Sequence, residues 1–111
     1  MPTILQPEKM QTEASEEGWT KTILADLHTI GTSAIVAHRW SFEPLAHGPQ
    51  KKHDNTDQLL YIISGSGAAQ VNGDRLPLEK ETVLWLEQGD VYQFIAGEHG
   101  LEVLQGYAPG G

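Results

Sequence analysis

The stretch His53-Asp54-Asn55-Thr56-Asp57-Gln58-Leu59-Leu60-Tyr61-Ile62-Ile63-Ser64-Gly65 decides how this chain is read. A loop rich in hydrogen-bonding groups runs directly into an apolar strand that glycine stops, which sets candidate ligands at the mouth of a β-structure. A neutral imidazole and an amide carbonyl can both coordinate a metal ion, and the apolar residues behind them can wall the space in which a ligand sits. Side chains alternate between faces along a strand, so an inward Gln58 carries Leu60 and Ile62 inward with it.

Outward from this stretch, the chain from Trp19 on reads as short strands separated by turn residues, and no segment keeps a 3.6-residue apolar period for three turns. Residues 18–25 and 33–43 are rich in β-branched and aromatic side chains. In the second of these, Val36, His38, Trp40 and Phe42 share one face, while Ile35, Ala37, Arg39 and Ser41 share the other. Residues 58–64 and 67–71 surround Gly65-Ser66-Gly67, which reads as a hairpin turn. Asn72-Gly73-Asp74 supplies residues tolerant of positive φ and should join 68–71 to 75–78 in a tight hairpin. Residues 82–87, 91–96 and 101–107 follow, separated by Gln88-Gly89-Asp90 and by Gly97-Glu98-His99-Gly100. About eight or nine strands in roughly ninety residues call for an all-β sandwich or barrel with little helix.

A length of 111 residues suits one domain with one core. Residues 1–18 hold prolines and glutamates with little apolar periodicity and read as an arm, flexible or paired along the edge strand of a second subunit through Ile4 and Leu5. Residues 19–111 then form the barrel, and a homodimer is expected. Seven basic against fifteen acidic residues give a net charge of −8. That field repels nucleic-acid phosphates and anionic membrane surfaces, so neither is an expected partner. There is no cysteine, no apolar run of membrane-spanning length and no charged-then-apolar leader, which together point to the cytoplasm.

Residues 35–107 resemble the small single-domain cupins, built on a double-stranded β-helix or jelly-roll barrel. In that family two histidines one residue apart are followed by Glu or Gln and then by a glycine. His53, Gln58 and Gly65 match the second histidine, the carboxamide variant and the glycine, while Lys51 stands in place of the first histidine. A second family motif, aligned on Gly89, puts Glu87 where a proline is usual and Tyr92 where the last histidine ligand is usual. The resemblance therefore implies a cavity mouth with Lys51, His53, Gln58 and Tyr92 as ligand-binding candidates. It also implies His53, Gln58 and Tyr92 as the metal set for zinc, manganese, iron or nickel, with Tyr92 as the candidate catalytic acid or base. Parity agrees with the alignment, since an inward Tyr92 brings Phe94 and Ala96 inward with it.

Both departures weaken a metal site. An ionised Lys51 sets positive charge beside a cation, and a phenol with a pKa of about 10 must lose its proton to bind metal well. His47 or another side chain would have to complete such a set, and an absent metal stands as an equal alternative. Plainer roles compete: a loop hydrogen bond from His53 to Asp57, an inward Gln58 satisfied by backbone, core packing for Tyr92, a solvated pair for Lys51 and Lys52, and a sheet-bound His38. His28, His47 and His99 read as ordinary loop histidines. Three functions follow: a small-molecule-binding protein with a degenerate metal site; a metal-dependent isomerase, lyase or oxygenase acting on a small acid or sugar derivative; and a structural or partner-binding barrel without a ligand.

Overall fold

The computed structural model describes residues 2–32 and 34–108. Eight strands, β1 (Thr12–Ala14), β2 (Trp19–Ala25), β3 (Val36–Phe42), β4 (Lys51–Lys52), β5 (Gln58–Val71), β6 (Asp74–Glu79), β7 (Val83–Leu86) and β8 (Val91–Tyr107), are joined through antiparallel pairs. The order runs β1-β2-β3-β8-β5-β6, with β4 added to β8 and β7 added to β5. The architecture is the expected all-β jelly-roll barrel. Among the described residues, no helix is long and apolar enough to cross a membrane.

Two long strands do the folding. The C-terminal half of β8 lies between β3 and the first half of β5, whereas its N-terminal half pairs with β4 and the second half of β5. Each strand thus crosses from one side of the barrel to the other. This corrects the expectation of turns at Gly65-Ser66-Gly67 and at residues 97–100: the chain bends there without reversing. Register shifts between Ile62 and Ser64, and again between Gly65 and Gly67, mark bulges that turn the strand while pairing resumes on both sides. Gly65 takes φ +79, and a β-carbon there would strike the Gly100 carbonyl, so only glycine permits this approach. The hairpin at Asn72-Gly73 forms as expected, with φ +52 and +90 joining β5 to β6.

One turn of helix, α1 (Leu27–Ile30), interrupts the pattern after β2. Asp26 Oδ1 accepts from the Thr29 amide at 3.1 Å, Thr29 Oγ1 accepts from the Asp26 amide at 2.8 Å, and Gly31 closes the turn in the left-handed region. A capping box on four residues is too short to leave a periodic signal, which is why His28 reads as a loop residue. β1 pairs with β2 of the same chain, Glu13 opposite Lys21, and Ile4 remains exposed.

The core follows the strand parity. Trp40 and Phe42 of β3, Leu60 and Ile62 of β5, and Tyr92, Phe94, Leu101 and Val103 of β8 are buried together. Trp40 stacks on Phe42 with centroids 5.9 Å apart, and Trp19 leans on Trp40 at 5.2 Å. Each large side chain so buried contributes about 1.5–3 kcal/mol relative to exposure. The opposite parity faces out: Leu59, Tyr61, Val83, Trp85 and Leu104 are all exposed.

Candidate functional site

Polar side chains interrupt this apolar interior at one end of the barrel. Gln58 opens β5, Tyr92 stands near the start of β8 and Gln105 near its end, and all three are at most 2% exposed. Pairing of Gln58 with Tyr107, and of Leu60 with Gln105, aligns the last turn of β8 with the entrance of β5. The three polar groups meet. Gln105 Nε2 donates to Tyr92 Oη at 2.9 Å and to Gln58 Oε1, and Tyr92 Oη donates to the same Gln58 oxygen at 3.2 Å. The Trp40 indole anchors the far side, its Nε1 donating to Gln105 Oε1 at 2.8 Å. Buried polar groups need such partners, because leaving one unsatisfied costs about 1–3 kcal/mol. Gln58 Nε2 takes no part in this network.

Above the network lies a partly buried rim. His53 follows β4, with its ring 6.0 Å from that of Tyr92 and edge-on to Tyr107 at 4.7 Å. His38 of β3 also lies edge-on to Tyr107, at 6.0 Å, and is paired in register with Gln105. Lys51 pairs directly with Tyr92, which sets it on the inward face, and it is half-buried where its neighbour Lys52 is exposed. Lys21 is in register with Trp40, its ammonium 5.6 Å from the ring centre, and pairs with Glu13 at 3.6 Å.

Electrostatics set the protonation of this rim. Burial, then the positive charges of Lys51 and Lys21, hold His53 below its ordinary pKa. Burial and Lys21 lower His38 as well, against the opposing pull of Gln105 and Asp26. Both rings are therefore neutral near pH 7, each with one donor and one acceptor. Burial pushes the Tyr92 phenol up, outweighing its hydrogen bonds to Gln105 and Gln58, and burial likewise raises Tyr107.

Lys51, His53, Gln58 and Tyr92 are thus brought to one end of the barrel. His47 is not: it is exposed and bridges Ile95, whose parity is opposite to that of Tyr92 and Phe94, so it cannot complete a metal set there. The suggested His53–Asp57 hydrogen bond is replaced by another, since Asp57 Oδ1 accepts from the Gln88 amide at 3.0 Å. Among the described residues, no group of three His, Cys, Asp or Glu side chains is arranged to hold a metal. The donors fit a tightly bound divalent ion poorly, because Gln58 Oε1 already accepts two hydrogen bonds, Tyr92 holds its proton, and Lys51 shares the face. Sequence reading missed Gln105, Tyr107 and Lys21. For Gln105 a signal existed, since it shares parity with apolar Leu101 and Val103 and so is a polar residue at an inward position.

A family model, the AraC-like ligand binding domain, matches residues 33–109. No curated protein matches the chain in sequence. Among solved structures, KdgF from Halomonas sp. superposes with a TM-score of 0.80 at 18% identity, covering 98% of this chain and 94% of that one. A predicted oxalate decarboxylase from Thermotoga maritima gives 0.80 at 18% identity, with 96% and 98% covered. An RmlC-like cupin from Shewanella frigidimarina gives 0.79 at 16% identity, with 98% and 92% covered. At such identities the likeness establishes the fold and leaves the chemistry open. A jelly-roll barrel carrying a polar cluster at one end, matched over most of its length by that family model, belongs to the AraC-like ligand binding domain family and is a cupin.

Proposed function

We propose that this protein binds a small molecule at the barrel mouth formed by Lys51, His53, Gln58 and Tyr92, without a tightly held metal. One observation carries the reading: buried Gln58, Tyr92 and Gln105 hydrogen-bond to one another beneath a half-buried rim of His38, His53, Tyr107 and Lys51. A mostly apolar wall with a few convergent polar groups is the usual make-up of a ligand site. Closure of a purely structural barrel needs no lysine on the inward face and no carboxamide with a spare donor. Thermal-shift screening of small acids, amides and sugars tests this. A ligand that raises the melting temperature of the native chain and loses that effect in His53→Ala supports it, and ligands indifferent to that substitution oppose it.

We also propose a homodimer formed through the outer face of β5 and β7. Ile35, Leu59, Val83 and Trp85 are between 45% and 58% exposed there, beside a concavity of about 420 Å³ that Ile35, Leu59 and Trp85 help to line. A knob next to a hollow of like character suits a two-fold interface, and among the described residues Asp57 is the one charged side chain that lines the hollow, so two strongly acidic chains can approach there. Strand β1 of the arm, Thr12–Ala14, then lies outside this interface, on the β2 edge.

A further inference from the structure

The ligand's chemical class can be narrowed, on the footing of the mouth site proposed above. Of the side-chain cations in the strands that form this end of the barrel, Lys21 is paired with Glu13, Arg39 with Glu102 at 2.7 Å, and Lys52 with Asp54 at 3.2 Å. Lys51 enters no ion pair among the described residues, although its cross-strand partner Tyr92, like Trp40 opposite Lys21, is a buried inward side chain. A partly buried lysine on the inward face without a counter-charge leaves its ammonium free to hold an anionic group. Across Tyr92, which pairs with Lys51 and hydrogen-bonds Gln58, Gln58 Nε2 is the donor that the buried network leaves unused. An ammonium and an amide N–H₂ at one end of the barrel offer donors only, and the oxygens of a carboxylate are acceptors only. The rings of His53 and Tyr107, edge-on at 4.7 Å, supply an aromatic corner for the rest of the molecule.

We infer that the ligand is a small monocarboxylic acid whose carboxylate is held by Lys51 and Gln58 and whose flat or apolar body lies against His53 and Tyr107. The charges that act on the rim are those of Lys51 and Lys21, the latter paired with Glu13, and of Asp26, which acts on both His38 and Tyr107. With Lys21 already held by Glu13, one unpaired ammonium on the inward face matches a single carboxylate.

The test is a calorimetric and NMR comparison of benzoate with benzamide, and of butanoate with butanamide, on the full chain. The acid of each pair should bind at least about ten-fold more tightly than its amide, the scale expected for one charge-assisted contact. Binding should move the His53 imidazole resonances. Lys51→Met should abolish the preference for acid, Lys51→Arg should keep it, and Lys52→Met should leave it unchanged. If the amides bind as well as the acids while still moving His53, or if Lys51→Met keeps the preference, the carboxylate inference falls and the mouth site stands. If neither member of either pair moves His53, both fall.

Discussion

Lys51 and Tyr92, the two residues that stand where the cupin pattern expects histidines, are direct cross-strand partners between β4 and β8. The departures therefore occupy one spot in space, and they change its character together. Two imidazole acceptors would give way to one ammonium and one protonated phenol, which converts a metal-binding corner into a donor-bearing one.

Excess zinc, manganese, ferrous iron or nickel should accordingly leave the melting temperature unchanged at about ten-fold molar excess, since only an ion bound selectively by the native state can raise it. A rise that disappears in His53→Ala would overturn the reading of the donor set.

The pH behaviour of His53 follows from its neighbours. Burial and Lys51 hold its folded pKa below the unfolded value of about 6.5, so within that interval the unfolded chain binds more protons. This contribution to stability is fully present above pH 6.5 or so and is lost as pH falls through the folded pKa. An NMR titration should show the His53 pKa rising in Lys51→Met, while Lys21→Met raises both His53 and His38. No movement of His53 in Lys51→Met would remove Lys51 from the mouth.

The polar network should be costly to break. Gln105→Leu strands the Trp40 indole N–H and removes two donors from Gln58 and Tyr92, and should cost about 2–3 kcal/mol in urea unfolding. A loss below about 0.5 kcal/mol would mean that these bonds are not closed in solution.

Gly65→Ala meets both a positive φ and the Gly100 carbonyl, and should destabilise by about 3 kcal/mol, whereas Gly73→Ala meets only the positive φ and should cost less. Equal losses would show that the bend in β5 does not bring the two strands into contact.

Strand parity made most of the interior legible from the sequence. His38, Trp40 and Phe42, then Gln58, Leu60 and Ile62, then Tyr92, Phe94 and Ala96 all face as alternation requires, because that rule is local. Composition failed at Gly65-Ser66-Gly67 and at residues 97–100, where glycine serves a bend across the barrel and not a reversal. Only pairing between distant segments separates the two. Gln105 and Tyr107 joined the site through their register with β3 and β5, over sequence separations that no motif spans.

Trp85→Lys on the outer face should convert the proposed dimer to a monomer in sedimentation equilibrium without altering ligand binding at the mouth, since Trp85 and Tyr92 lie on opposite faces of the sheet. A Trp85→Lys protein that stays dimeric would place the interface elsewhere.

The most direct measurement follows the His53 imidazole and the Trp85 indole together by ¹⁵N NMR while a ligand found by thermal-shift screening is added. The expected result is a saturable shift of His53 with Trp85 unmoved. A shift of Trp85 with His53 unmoved would contradict a ligand site at the barrel mouth and assign binding to the outer concavity of about 420 Å³.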